Sequence, residues 1–211
     1  LADPLVIAID GPASAGKGTL AKRLAATLGL PHLDTGLLYR ATGRRVLDAG
    51  GNPADPAAAE AAALALAPLD MQRPDLRGPE ADAAAAAVAA VPAVRAALLQ
   101  FQRRFAAGGA VLDGRDIGTV VCPGAAVKLY VTADVTARAW RRWTELAARG
   151  VDVPLQQVET EMRARDAQDA GRVAAPLRPA EDAVLLDTTA LDADAVFVRA
   201  MTIVRARSSL T

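Results

Sequence analysis

Gly11-Pro12-Ala13-Ser14-Ala15-Gly16-Lys17-Gly18-Thr19 combines the residue types needed to grip a polyphosphate. Glycines let successive backbone N–H groups curl around an anion, and the start of a following helix adds partial positive charge. Lys17 supplies a point charge suited to β and γ phosphate oxygens. The stretch matches G-x-x-x-x-G-K and lies between a strand-like run and a helix-like run, the context of a phosphate-binding P-loop. The usual Ser or Thr directly after the lysine, which meets Mg²⁺, is displaced: Gly18 intervenes before Thr19. The bland alternative is an ordinary glycine-rich turn. The loop by itself does not choose between a kinase, a GTPase and a motor. The chain has no Asn-Lys-x-Asp motif of the kind that reads guanine, and its only lysines are Lys17, Lys22 and Lys128.

Arginine supplies most of the remaining positive charge. Arg40, Arg95, Arg115, Arg138, Arg141, Arg142, Arg165 and Arg172 fall near loops or helix ends that can face the P-loop. A guanidinium fork grips phosphate with two parallel hydrogen bonds and never loses its charge. Asp34-Thr35-Gly36 follows the second expected strand, and Asp113-Gly114-Arg115-Asp116 the third. In an open parallel sheet, ligands bind outside the carboxyl ends of strands, which places both segments on the rim that carries the P-loop. Arg44, Arg45 and Arg205 read instead as solvated. Asp55, Asp75 and Asp82 read as solvated or capping residues, and His32 as structural.

The elements that must position these groups alternate. Leu5 to Asp10, Pro31 to Leu33, Ala110 to Asp113, Ala126 to Val131 and Ala183 to Asp187 read as five strands. Lys17 to Leu28, with Leu20, Leu24 and Leu28 at i, i+4 and i+8, reads as an amphipathic helix ended by Gly29. Further helices are expected at Gly36–Ala49, Ala93–Ala107, Ala133–Arg149, Leu155–Ala167 and Asp192–Arg207. The fold expected is α/β, a five-stranded parallel sheet flanked by helices. Between Pro53 and Pro92 the chain is dominated by Ala, Pro and Asp, with helices expected near Ala57–Ala67 and Glu80–Ala90. Alanine favours helix but buries little area, so this inserted region is expected to pack loosely.

Composition excludes several classes. Of 211 residues, 52% are hydrophobic and 23% charged, too apolar for a disordered chain. Lys+Arg and Asp+Glu are both 24, which argues against a nonspecific nucleic-acid or polybasic membrane binder. No apolar run reaches the length of about 18 residues that spans a bilayer. No signal peptide is visible after the opening Leu-Ala-Asp-Pro, and Cys122 is the only cysteine, so no internal disulfide can form. These features fit a reducing cytoplasm, where the chain is expected.

Several motifs in order resemble bacterial cytidylate kinases: Gly11–Thr19, Leu33-Asp34-Thr35-Gly36 with Tyr39-Arg40, Asp113-Gly114-Arg115-Asp116-Ile117-Gly118-Thr119-Val120-Val121, and Arg163-Ala164-Arg165-Asp166 through Asp169 and Arg172 to Ala175-Pro176-Leu177. The resemblance implies one P-loop nucleoside monophosphate kinase domain over 1–211, with a core of 1–50 and 93–211. It implies a CMP-binding insert at about 51–92, reduced and helical because the family's β-rich stretch is largely missing, and a short lid at about 145–172. The implied reaction moves the γ-phosphoryl group of ATP to CMP or dCMP, with Mg²⁺ as cofactor.

By the same resemblance, Lys17, Arg142, Arg165 and Arg172 are catalytic. Gly11 to Thr19, with Arg141 and Arg142, hold ATP. Thr35, Arg40, Arg95, Arg115, Asp116, Arg165, Asp169 and Arg172 hold CMP. Among these, Arg95 and Asp116 match base-reading positions and Asp169 the sugar contact. Thr19, Asp34 and Asp113 are the candidates for the metal, directly or through water. Ala86 falls where the family usually places a serine near the cytosine, which implies weaker rejection of uracil. Expected partners are small nucleotides alone, and a monomer is expected. Two alternatives remain open: another P-loop kinase acting on UMP, AMP or shikimate, and a nucleotide-dependent binding module that transfers nothing.

Overall fold

Runs of branched aliphatic residues form the strands β1 (Val6–Asp10), β2 (His32–Asp34), β3 (Ala110–Gly114), β4 (Val127–Thr132) and β5 (Val184–Asp187). The structure is a computed structural model and describes residues 4–173 and 175–208; the reading of Leu1 to Asp3 as free of a signal peptide lies outside them. The strands make one five-stranded sheet in the order β2-β3-β1-β4-β5. β1 pairs in parallel with β3 and β4, and β4 with β5. The α/β reading with a parallel sheet therefore holds. The second strand starts at His32 rather than Pro31. Proline has no N–H to donate to a ladder, and Pro31 serves only as an acceptor, its carbonyl 2.9 Å from the Val111 amide.

The helices are α1 (Lys17–Leu28), α2 (Thr35–Asp48), α3 (Pro56–Leu64), α4 (Pro79–Ala89), α5 (Pro92–Ala106), α6 (Val135–Ala147), α7 (Leu155–Ala170) and α8 (Ala193–Arg207). α1 takes the bounds that its leucine spacing predicts, and Gly29 ends it in the left-handed conformation. α7 runs about one turn beyond the expected Ala167, which brings Asp169 onto the helix. The chain divides into two compact units, Leu1–His32 with Ala106–Thr211, and Leu33–Phe105.

In the first unit, strands buried on both faces read as continuous apolar runs, as parallel sheets require. Ile7, Ile9, Val111, Val127, Leu129 and Val131 pack with Leu20 and Leu24 of α1 and with Val196, Ala200 and Val204 of α8. Among the described residues no single helix is long and apolar enough to cross a membrane.

The second unit is not the loosely packed region expected from its alanines. Small side chains let helix backbones approach, so contact comes from proximity rather than from side-chain area. A Cβ placed on Gly43 of α2 would lie 2.8 Å from the backbone and side chain of Ala84 on α4. Asp55 caps α3 by accepting from the amides of Ala57 and Ala58, as a preferred N-cap residue does.

Arg44 and Arg45 are not simply solvated. Arg44 pairs with Asp48 at 3.0 Å, Asp75 at 3.1 Å and Glu80 at 2.6 Å, and Arg45 with Asp70 at 2.9 Å. Arg73 bonds both Asp48 and Asp75, and its hydrogen bonds hold both carboxyls below their usual range. The short segment after α3 is thus tied to α2 by charge, and α2 in turn to α4 through Arg44 and Glu80. Gly43→Ala is expected to cost about 1–3 kcal/mol by overpacking. Urea unfolding should show a lower midpoint with an unchanged slope.

Candidate active site

The P-loop follows β1 directly and is shaped by approaches that only particular residues allow. Gly11 has φ 146, and a Cβ there would lie 1.9 Å from the Val131 carbonyl oxygen of β4, so no side chain fits. The carbonyls of Ala13 and Ala15 are taken by donors outside the loop: Arg138 Nη1 at 3.3 Å and Thr188 Oγ1 at 3.1 Å. In a trans peptide the C=O and the next N–H point in opposite directions. The amides of Ser14 and Gly16 are therefore directed away from those donors. Ser14 carries φ 57, and Gly16 φ 92 at the N-terminus of α1. Left-handed residues at Ser14 and Gly16, separated by Ala15, curve the backbone into the kind of concave amide nest that suits an anion. Lys17 is buried and donates to the Pro12 carbonyl at 2.6 Å.

Beside the loop, a cavity of about 270 Å³ is lined by Ala15, Gly16, Thr19, Leu20, Arg141, Thr188, Leu191 and residues at the start of α8. Its wall is mostly apolar, and Arg141 crosses it to donate to Thr188 Oγ1 at 3.0 Å and Thr188 O at 2.6 Å. Arg141 and Thr19, two of the residues assigned to the donor nucleotide and its metal, thus share one cavity wall. Arg142 lies one position further along α6 and bonds Glu145 at 3.0 Å.

Arg115 and Arg172 converge on one carboxylate. Asp169 is almost fully buried; its Oδ2 accepts from Arg115 Nε at 2.8 Å and its Oδ1 from Arg172 Nη2 at 2.5 Å. Arg165 lies half-buried on α7 between Arg163, which bonds Glu159 on the exposed side, and Asp166. Both oxygens of Asp169 serve guanidinium groups. A sugar hydroxyl meeting Asp169 must use the lone pairs left over.

Three groups carry more than the sequence reading gave them. His32 Nε2 lies 2.7 Å from Asp113 Oδ2, so the residue taken as structural is hydrogen-bonded to a metal candidate. Arg138, grouped with the rim arginines, spends its donors on Ala133, Ala13 and Asp166. Asp10 ends β1. Its two oxygens accept from the amides of Ile117 and Gly118, each at 2.7 Å, and fasten β1 to the segment that begins with Asp116. That segment, Ile117–Val121, winds as a π-helix, a form enriched at functional sites. An acid directly before a P-loop glycine was the only sequence clue.

The second unit holds Thr35, Arg40 and Arg95. Thr35 is buried at the first turn of α2, behind Asp34 at the N-cap. Arg40 Nε donates to Asp82 Oδ1 at 3.0 Å, so Asp82 is a partner of a site residue rather than a solvated cap. The Arg95 guanidinium stands 5.8 Å from the Tyr39 ring centre. Ala86, one turn after Asp82 on α4, is half-buried.

A family model described as Cytidylate kinase matches residues 7–206. The chain belongs to the cytidylate kinase family. Among curated relatives, the cytidylate kinase of Granulibacter bethesdensis is 67% identical over 202 residues, covering 95% of this chain and 97% of the relative. That of Acidiphilium cryptum is 61% identical, covering 95% of each. A crystal structure of an uncharacterized protein from Eubacterium ventriosum superposes with a TM-score of 0.57 at 13% identity, covering 96% of this chain and 99% of that one, a likeness of fold alone. For this cytidylate kinase family member the P-loop and the Asp169 cluster fall in the same compact unit.

Burial pushes the Asp10 carboxyl up to about 6, against the lowering by its two amide donors and with a further rise from the nearby Asp116 charge. A carboxyl raised from 3.8 in the unfolded chain binds more protons when folded, so its contribution is present below pH 4 and lost as pH rises through about 6. Relative to Asp10→Asn, which does not titrate, the wild type is expected to lose about 2 kcal/mol between pH 4 and pH 7. Urea titrations of both proteins across that range measure the difference.

Proposed function

We infer that this chain transfers the γ-phosphoryl group of ATP to CMP or dCMP, giving ADP and CDP or dCDP. The observation that carries the reading is the pairing, within one unit, of a P-loop whose amides form an anion nest and a buried carboxylate that holds Arg115 and Arg172 in place. A cation cluster of this kind suits an acceptor that already bears phosphate. Such an acceptor has a second pKa near 6 and is mostly dianionic at neutral pH, so it needs no strong general base. Catalysis reduces to alignment and charge stabilisation.

ATP is expected to lay its phosphates on Gly11 to Gly18 and its base in the apolar cavity beside Arg141. Lys17 would exchange the Pro12 carbonyl for phosphate oxygens. Arg142, Arg165 and Arg172 would offset charge on the group in transit. By the family resemblance Thr35, Arg40, Arg95, Arg115, Asp116 and Asp169 are assigned to the acceptor. Water exclusion by the lid prevents hydrolysis from competing.

Magnesium fits the residues present. The ion prefers phosphates and waters with one or two protein oxygens over an all-protein cage, and among the described residues no cluster of three or more potential ligands exists. Thr19 and Asp113, the latter oriented by His32, would hold it. When bound with ATP, Mg²⁺ offsets charge on the β and γ oxygens.

A coupled assay of ADP release with CMP, dCMP, UMP, AMP and shikimate tests the reading. CMP and dCMP should exceed the rest, and AMP or shikimate as the best acceptor would overturn it. Lys17→Ala should lower kcat by about 100-fold or more, while its circular-dichroism melting midpoint stays within a few degrees of wild type. Ala86→Ser should raise the CMP over UMP ratio of kcat/KM by roughly 3- to 10-fold, the worth of one added hydrogen bond. An unchanged ratio removes Ala86 from base selection.

A further inference from the structure

Arg138 sits on α6 with 4% of its surface exposed and touches three other segments. Its Nε donates to the Ala133 carbonyl at 2.9 Å, just past β4. Nη1 donates to Ala13 of the P-loop at 3.3 Å and to Asp166 Oδ1 at 3.2 Å, and Nη2 to Asp166 Oδ2 at 2.6 Å. The pair with Asp166 is the two-bond fork geometry that fixes direction as well as distance. Burying a cation in this way costs several kcal/mol, and an apolar side chain of similar volume is often at least as stabilising. Stability alone is thus a poor reason for the arrangement.

The position of Asp166 suggests a better one. It follows Arg165 directly and precedes Asp169 by three residues, so the two aspartates lie on neighbouring parts of one helix face. Holding Asp166 sets the rotation of α7 about its axis. That rotation sets where Arg165 emerges and where Asp169 presents Arg115 and Arg172. One guanidinium therefore spans from a P-loop peptide to the helix that carries the arginines.

We propose that Arg138 is a positioning residue for phosphoryl transfer, registering α7 against the P-loop so that Arg165 and Arg172 stand at a fixed reach from the donor phosphates. This rests on the reading given under Proposed function. Lysine at 138 keeps the charge but cannot reproduce the fork or reach all three partners at once. Asn at 166 keeps the shape but removes the charge and one acceptor. Asp166→Asn leaves the Ala13 carbonyl its Arg138 donor, and with it the triphosphate grip by backbone amides and Lys17, whereas Arg138→Lys disturbs both ends of the link.

The test is steady-state kinetics of wild type, Arg138→Lys, Asp166→Asn and the double variant, with ATP and CMP varied in turn, below the melting transition of each. A misplacement of about 1 Å is enough for a 100-fold loss in rate. The expected result is kcat lower by roughly 30- to 100-fold in each single variant, KM for CMP within about tenfold, and KM for ATP within about threefold in Asp166→Asn, which leaves the P-loop bond in place. The double variant should be no slower than the worse single one, because the pair acts as a unit. Single variants that melt earlier yet keep wild-type kcat overturn the proposal, as does a loss in Asp166→Asn carried by KM for ATP or a multiplicative loss in the double variant. A wild type that does not phosphorylate CMP overturns the functional reading and the proposal together, whereas normal wild-type turnover with unaffected variants overturns the positioning role alone.

Discussion

Backbone amides can converge on an anion only if the carbonyls of the same peptides turn away and find donors elsewhere. A buried carbonyl left without one costs as much as a lost hydrogen bond. Around this P-loop the donors are Arg138 for Ala13 and Thr188 for Ala15, with Lys17 reaching back to Pro12. The rest of the first unit serves that requirement. Thr188 follows β5 and Arg138 follows β4, so the sheet order that sets β4 beside β1 and β5 beside β4 also brings their side chains to the loop. Gly11 must be glycine because the end of β4 passes so close.

The same side chains tie the anion nest to the groups assigned to phosphate chemistry. Arg138 reaches α7, α7 carries Asp169, and Asp169 holds Arg115 and Arg172. Asp10 makes a second link, from the last residue of β1 to the amides that follow Asp116. Both links are buried and charged, which makes them costly to form and severe to break. In the second unit the ion pairs are more exposed. They work as a group across α2, α4 and the segment between α3 and α4, since single exposed pairs contribute little.

Much of this could be read from the residue order. The P-loop, the strand and helix alternation and the Leu20–Leu24 face are local patterns, and local patterns are what periodicity and loop chemistry encode. The motif containing Arg115 and Asp116 and the one containing Arg165, Asp169 and Arg172 were recognisable as runs. Their meeting at Asp169 was not, because 54 residues separate Arg115 from its partner. His32 with Asp113, and Asp10 with Ile117 and Gly118, escaped for the same reason. The alanine-rich region misled in the opposite way: side-chain size predicted loose packing, but at Gly43 and Ala84 small size is what permits close backbone approach.

The scarcity of lysine has a practical side. Of three lysines, Lys17 is buried in the P-loop and Lys128 is buried against Gly118, donating to Asp182 at 2.9 Å. Lys22, on the outer face of α1, is the only lysine side chain open to solvent. An amine-reactive dye therefore meets one lysine address, Lys22, while the P-loop amine stays shielded, and labelling at the ε-amine reports on the outer face of α1.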